Sequence, residues 1–423
     1  MERLYRKEGG VRTIAAIDKI KQLGKEEVIQ RIAALELREY GVYHDRLVDL
    51  WEPFLRKNKK PPVKLVVGLN NNDTAHILLN LLKADVDRVI EGMQIAAYLL
   101  DAEKLILYLP KKEVELKEKL IEIIDGSGID LCNDDFIDRR KYDRCVIHHI
   151  ETMYFLAEAF SDMSEALPNI YTPGVFVSVS EQGKSGELCK IPFGTKVADL
   201  ISTPALQVKG IEIGSRLYDA SALDLIINNS ISMGNGVITV IDNSDCIIDE
   251  TEKRLTALRN ISCGKCTFCR EGLVQLYTMI KDITMGRGKN EYIPLIKEIG
   301  EAMPISTLCS VGHTGSDFAM GGLSNFISEY DDHIKRKRCR LGICSAFIPI
   351  YIDPKLCTGC GKCIDVCPED CIEGKPAYIH LISEFECSKC GKCIEACEEK
   401  AIMKAASGKV PKLPVRPVKC GRF

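Results

Sequence analysis

Apolar residues recur along this chain with two different periods. In "KEEVIQRIAAL" (25–35) Val28, Ile29, Ile32 and Leu35 fall at helical spacing, and residues 1 to about 60 read as helical. The polar, Pro-containing "NKKPPVK" (58–64) breaks that pattern. Beyond it, "VKLVVGL" (63–69) predicts a buried strand and "DRVIEGMQIAAYLL" (87–100) a helix with a wide apolar face. "EKLILYLP" (103–110) is a second buried strand and "EVELKEKLIEII" (113–124) a second helix. This alternation predicts an α/β domain with a partly parallel sheet.

After residue 171 the pattern changes. "GVFVSVSEQGKSGELCKIPFGTKVADLIS" (174–202) alternates strands with Gly turns and runs into a helix, and "GVITVID" (236–242) is a further strand. A compact β-rich module is expected there. From "ETEKRLTALRN" (250–260) to "SEYDDHIKRKR" (328–338) the period is helical, and the end of the chain is short, Cys-rich and repetitive. The expected plan is a multidomain α/β plus α+β protein. It has an N-terminal helical segment (1–62), an α/β domain (63–170), a β-rich module (171–245), a helical bundle (246–345), a Cys-rich domain (346–405) and a tail (406–423).

A chain of 423 residues, 46% hydrophobic and 28% charged, has room for about two to four globular domains. The net charge of −3 and the lack of a basic block argue against nucleic acid as a partner. The polar start "MERLYRKEGGVRTI" lacks a secretory core, and no long apolar run predicts a membrane span. A cytoplasmic location is the expectation. The 20 cysteines then read as metal ligands in a reducing compartment rather than a disulfide scaffold.

Two stretches repeat one unit. "CTGCGKCIDVCPEDCIE" (357–373) and "CSKCGKCIEACEEKAI" (387–402) each carry C-x2-C-x2-C-x3-C, the spacing of two-cluster bacterial ferredoxins. The first three thiolates of one repeat hold one [4Fe–4S] cluster and the fourth crosses to the other. One cluster is therefore assigned Cys357, Cys360, Cys363 and Cys397; the other Cys387, Cys390, Cys393 and Cys367. Zinc, the other common ligand of CxxC pairs, does not explain eight cysteines at this double spacing. Cys371 falls outside the pattern and reads as a small buried residue. The second repeat lacks the Pro after its fourth cysteine.

"ISCGKCTFCREG" (261–272) places Cys263, Cys266 and Cys269 at a third metal-binding spacing. "STLCSVGHTG" (306–315) supplies Cys309 as the fourth ligand of a third [4Fe–4S] cluster; a three-cysteine site completed by His or water is the alternative.

"SCGKCTFCREG", "LCSVGHT" and "DDHIKRKRCRLGIC" together resemble the flavin-carrying, NADH-oxidising subunit of respiratory complex I. They resemble more closely its relatives in soluble NAD-linked and electron-bifurcating hydrogenases and formate dehydrogenases, which add a C-terminal two-cluster ferredoxin. "GKSGELCKIPFGTKVADLI" is similar to that family's β-grasp-like ligand-binding module, and "DRVIEGMQIAAYLLDAEKLILYL" and "VIHHIETMYFLAEAF" to parts of its flavin domain. The resemblance covers roughly 25–402. It implies a flavin-domain-like α/β fold, a β-grasp-like module, a cluster-bearing helical bundle and a ferredoxin domain. It also implies a further small metal site, plausibly zinc, with His333, Cys339 and Cys344 as ligands and Cys246 or Cys420 as the fourth. Cys132, Cys145 and Cys189 read as buried thiols.

The family's flavin motifs are altered. Its Gly-rich loop (a run like G-R-G-G-A-G-F-P) lets backbone amides approach FMN. Here the corresponding "LELREYGVYHDRL" (35–47) has only Gly41, flanked by Tyr40, Tyr43 and His44. The Asn- and acid-rich strand end has become "VVGLNNNDTAHI" (66–77), in which Asn70, Asn71, Asn72 and Asp73 also fit a solvated turn. No G-E-E segment lies between 110 and 145, and an Asn-Asn pair has become His148-His149, which also read as surface or packing residues. The expectation is an iron–sulfur electron-transfer subunit of a multi-subunit, cytoplasmic, plausibly anaerobic oxidoreductase that has lost its FMN and NADH site. The alternative is an FMN-containing NAD(P)H dehydrogenase subunit with an altered cradle. Implied partners are a thioredoxin-like [2Fe–2S] subunit, a flavin or catalytic subunit, and a soluble ferredoxin.

Overall fold

A computed structural model describes residues 13–55, 63–161, 173–383, 386–405, 410, 412–416 and 418–423. Most of the break expected at 58–64, the boundary at 170–171 and part of the 406–423 tail lie outside them. The chain divides into two compact units, Met1–Asn243 with Ala257–Leu273 and Glu298–Gly321, and Ser244–Thr256 with Val274–Lys297 and Gly322–Phe423.

In the first unit, helices α1 (Thr13–Leu23), α2 (Lys25–Ala34) and α3 (Leu47–Leu55) precede β1 (Val63–Gly68). There follow α4 (Asn80–Ala84), α5 (Val86–Leu100), β2 (Ala102–Leu109), α6 (Val114–Ile124), β3 (Ile129–Asn133), β4 (Cys145–His149) and α7 (Ile150–Phe160). The four strands form a parallel sheet in the order β3-β2-β1-β4. Parallel strands need covered faces. Leu65 and Val67 join the large helix-lined core, whereas Val66 faces the other way onto Ile106, Tyr108 and Ile137. Helix α5 starts where the Asp85 carboxylate accepts the Arg88 N–H at 3.3 Å. It lies so close to α7 that a Cβ on Gly92 would stand 1.9 Å from the Met153 carbonyl oxygen. β3 and β4 are additional to the strands expected in this domain, and β4 ends in the polar pair His148 and His149.

A second, mixed sheet follows: β5 (Gly174–Glu181), β6 (Lys184–Ser185), β7 (Cys189–Pro192), β8 (Val208–Ile213), β9 (Arg216–Asp219) and β10 (Val237–Asp242). Its order is β6-β5-β10-β8-β9, with β7 also on β5; β5 and β10 run parallel and the other pairs antiparallel. The helix expected at the end of 174–202 is only the 3₁₀ turn Val197–Asp199. Glu181 accepts the N–H groups of Ser202 and Thr203 at 2.9 and 2.7 Å, so those amides cannot extend a helix. Both sheets share one apolar core, in which Tyr154 and Phe155 meet Phe176.

Helices α8 (Ile247–Ile261), α9 (Thr267–Thr284), α10 (Tyr292–Ile305), α11 (Ser310–His313), α12 (Asp317–Asn325) and α13 (Ile327–Ile334) follow in chain order. The Cys-rich end holds β11 (Ile350–Ile352), α14 (Lys362–Asp365), β12 (Ile372–Glu373), β13 (Leu381–Ile382), α15 (Lys392–Ala396) and β14 (Ile402–Lys404). β11 pairs with β14 and β12 with β13, both antiparallel. Its core mixes isoleucines with Cys363, Cys371 and Cys393. So small an apolar core favours a fold completed by metal.

Candidate metal centres and the crevice of the parallel sheet

The α8–α9 loop carries Cys263 and Cys266, Cys269 lies in the first turn of α9, and Cys309 stands at the N-terminus of α11. The four thiols lie close enough to influence one another. Burial raises the pKa of both Cys269 and Cys309, and the neighbouring thiols add to it. The N–H groups of Val311 and Gly312 and the Asn71 side chain oppose that rise at Cys309. Exposure runs from Cys263, on the surface, to Cys269, buried. Lys265, between two of these cysteines, reaches Asp138 Oδ2 at 2.6 Å, and Arg140 Nε meets Asp138 Oδ1 at 3.1 Å.

At the Cys-rich end the thiols gather in two hollows. One is lined by Cys357, Cys360, Cys363 and Cys397 with His380, the other by Cys367, Cys387, Cys390 and Cys393 with Cys371. Each hollow thus takes three cysteines from one repeat and the last from the other. The two repeats fold alike. Gly361 and Gly391 precede α14 and α15 at φ 88° and 83°, and Gly359 and Lys389 match at 73° and 58°. The turn after the fourth cysteine is also shared, with Asp370 at φ 48° and Lys400 at 50°. The missing Pro therefore does not change its shape. Amide donors face the sulfurs: Lys389 N–H to Cys387 Sγ at 3.4 Å and Ala401 N–H to Cys397 Sγ at 3.3 Å. His380 is buried, with Nδ1 3.8 Å from Cys357 Sγ.

Cys246, His333, Cys339 and Cys344 bring their ligand atoms within 4.8 Å of one another. His333 Nε2 is 3.4 Å from Cys246 Sγ and 3.5 Å from Cys344 Sγ. Nδ1 donates to the Glu329 carbonyl at 2.8 Å, which leaves the Nε2 lone pair facing the thiols. Burial lowers the His333 pKa, but the facing Cys246 and Cys339 outweigh it and raise it to about 10. A three-Cys, one-His set suits tetrahedral zinc. Of the two candidates for the fourth position, Cys246 is here; Cys420 lies instead beside Cys357. Cys145 is buried as expected, but Cys132 and Cys189 are only half-buried, on strands at the two sheets' edges.

The parallel sheet reverses its strand order between β1 and β4, where open α/β sheets bind ligands beyond their carboxyl ends. Protein side chains meet there. Glu39 Oε1 accepts the His149 N–H at 2.6 Å, and Oε2 meets His148 Nδ1. Trp51 Nε1–H donates to His148 Nε2 at 2.8 Å. Tyr40 donates its N–H to Thr152 Oγ1 and its hydroxyl to the Gly174 carbonyl, both at 2.8 Å, and stacks on Phe155 with centroids 4.6 Å apart. Gly41, at φ 84°, abuts Asn70; a Cβ would lie 2.4 Å from Asn70 Nδ2. Both histidines are buried, and burial lowers His149 to about 3. Glu151 is raised to about 8, chiefly by burial.

The Asn-rich turn is not a solvated one. Asn72 and Asp73 are buried. Asn71 exchanges two hydrogen bonds with Ile137, and Asn72 donates to Thr314 Oγ1 at 2.9 Å and from its N–H to Ser310 Oγ at 3.2 Å. An amide both donates and accepts, so this turn ties the sheet to the Cys309 helix. Glu39, Asp138 and His380 carried no sequence signal, because each acts on a residue far along the chain.

Residues 249–333 match the NADH-ubiquinone oxidoreductase-F iron–sulfur binding region, and residues 349–398 a 4Fe-4S dicluster domain. The chain carries both iron–sulfur domains. It is 36% identical over 148 residues to the NADP-reducing hydrogenase subunit HndC of Solidesulfovibrio fructosivorans, covering 35% of this chain and 30% of that protein. It is 25% identical over 176 residues to an NADH-quinone oxidoreductase subunit of Rhizobium meliloti (strain 1021), covering 41% and 40%. The matched stretches thus span well under half of these relatives. The fold resembles that of an NAD+-reducing [NiFe]-hydrogenase in the air-oxidized state, with a TM-score of 0.63 at 17% identity over 78% of this chain and 67% of that one. Among the described residues no helix is long and apolar enough to cross a membrane.

Proposed function

We propose that this chain is an electron-relay subunit of a multi-subunit oxidoreductase, holding three [4Fe–4S] clusters and no FMN of its own. The observation that carries the reading is the sorting of eight repeat cysteines into two hollows of four, each drawing on both repeats. Cys263, Cys266, Cys269 and Cys309 make the third site, and Cys246, His333, Cys339 and Cys344 a structural zinc site. Bound at the thiolate sites, the clusters supply one-electron transfer. The chain's own residues set their surroundings. Amides of Lys389 and Ala401 hydrogen-bond ligand sulfur, His380 covers Cys357, and Asp138 anchors the bundle loop through Lys265.

The absence of FMN is supported by what lies at the switch point. A flavin phosphate needs free backbone amides or positive charge. Here the His149 N–H is taken by the Glu39 carboxylate, the Tyr40 N–H by Thr152, and Gly41 is closed against Asn70. A carboxylate in that crevice disfavours a phosphate. The α/β domain and the β-rich module, which we assign to residues 63–170 and 171–245 as flavin-domain-like and β-grasp-like, then serve as a docking scaffold. Names of relatives, a hydrogenase subunit and a quinone oxidoreductase subunit, support partners that deliver and accept electrons. A thioredoxin-like [2Fe–2S] subunit, a flavin or catalytic subunit and a soluble ferredoxin fit that role, in the cytoplasm.

The test is iron, zinc and released flavin per chain after anaerobic purification. About twelve irons and no flavin are expected. One FMN per chain overturns the relay reading and makes this an NAD(P)H-oxidising subunit with a different cradle. About eight irons overturn one of the three cluster assignments.

A further inference from the structure

The second ferredoxin hollow holds one sulfur more than four-thiolate ligation uses. Beside Cys367, Cys387, Cys390 and Cys393, its lining includes Cys371. Cys371 is 2% exposed, and its Sγ is 3.5 Å from Cys367 Sγ. Backbone geometry puts it there. The turn from Cys367 to Asp370, with Asp370 at φ 48°, folds the chain back so that residues 367 and 371 lie side by side. The Cys371 carbonyl then accepts the Ser383 N–H at 2.8 Å as the chain enters β12.

The chain contains its own comparison. The position four residues after Cys397, equivalent to 371, is Ala401, which is 1% exposed and lines the first hollow. A methyl group fills this place in one repeat, so packing alone does not call for sulfur in the other. One left-handed residue in each turn, Asp370 at φ 48° and Lys400 at φ 50°, each with its N–H on the carbonyl of the preceding fourth cysteine, makes the two places structurally equivalent.

We propose that Cys371 is a reserve ligand of the second ferredoxin site, able to replace Cys367 on the same iron. The inference rests on assigning a [4Fe–4S] cluster to that hollow. In the exchange the Cys371 Sγ–Fe bond forms as the Cys367 Sγ–Fe bond breaks, and the thiol proton passes from Cys371 to Cys367. No electron is gained or lost. Two sulfurs already in contact need only a side-chain adjustment, and the hollow keeps its metal when Cys367 is removed as a ligand.

The test uses the full chain, purified anaerobically, with iron counted and the reduced clusters followed by electron paramagnetic resonance. Cys371→Ala is expected to match wild type. Cys367→Ala is expected to keep the wild-type iron content with an altered signal from one cluster, and Cys367→Ala/Cys371→Ala to lose up to a third of the iron, about four atoms. The other two clusters report that each variant is folded. Transplanting the device gives a second measurement: Cys397→Ala should lose a cluster, and Cys397→Ala/Ala401→Cys should recover it. Equal iron loss in Cys367→Ala and the double variant, or no recovery in the transplant, overturns the proposal while leaving the relay reading intact. A wild-type chain without the second ferredoxin cluster overturns both.

Discussion

Lys265 Nζ stands 2.6 Å from Asp138 Oδ2, joining the loop between Cys263 and Cys266 to the segment after β3. Lys265 and then Arg140 hold the Asp138 carboxyl down at about 2 against the opposing effect of its burial. A depressed carboxylate stabilises the fold above its unfolded pKa, and the contribution fades as pH falls through about 2. Asp138→Asn is expected to cost about 1.5–3 kcal/mol. Cluster bleaching at the bundle site in mild urea should then accelerate tenfold or more, equally at pH 8 and at pH 5. Lys265→Met should act similarly, and the double variant should show less than the sum of the two effects.

Glu151 gives the opposite sign. Its side chain is buried beside His149 and accepts the Phe176 N–H at 2.8 Å. Burial raises its pKa to about 8, with the Glu39 charge adding and the Phe176 amide opposing. The folded chain thus keeps a proton that the unfolded chain releases near 4.5, so stability falls as pH rises between those values. Glu151→Gln removes this dependence. The variant should be the more stable by on the order of 3 kcal/mol at pH 8, with the gain vanishing toward pH 4. Denaturant midpoints across that range measure it.

Removing a ligand from the Cys246–His333–Cys339–Cys344 set should empty it. His333→Ala or Cys246→Ala is expected to reduce zinc from about one atom per chain to near zero and to lower the melting temperature, with iron unchanged. Zinc that persists in both variants rejects the site.

Gly374 makes room for His380. A Cβ there would lie 1.8 Å from His380 Cδ2, so Gly374→Ala must displace the ring that faces Cys357. A loss of about 1–3 kcal/mol is expected, with faster bleaching of the first ferredoxin site by oxygen. His380→Ala in the same chain should relieve the clash and restore the stability, though not the covering of Cys357. Differential scanning calorimetry separates the two effects.

What the sequence determined by itself was local. C-x2-C-x2-C spacing encodes ligand geometry within a single turn of chain, and the apolar runs at 63–69, 87–100, 103–110 and 113–124 became β1, α5, β2 and α6, because each period is a property of its own segment. Tertiary structure decided which distant groups meet. Cys246 rather than Cys420 stands by His333, and Asn72, legible as a solvated turn, is buried on the Cys309 helix. Glu39, one acid among 60 Asp and Glu residues, meets His148 and His149 at the end of β4. Spacing constrains only neighbours along the chain. A pairing across a hundred residues exists only after the core between them has packed, and no local pattern records it.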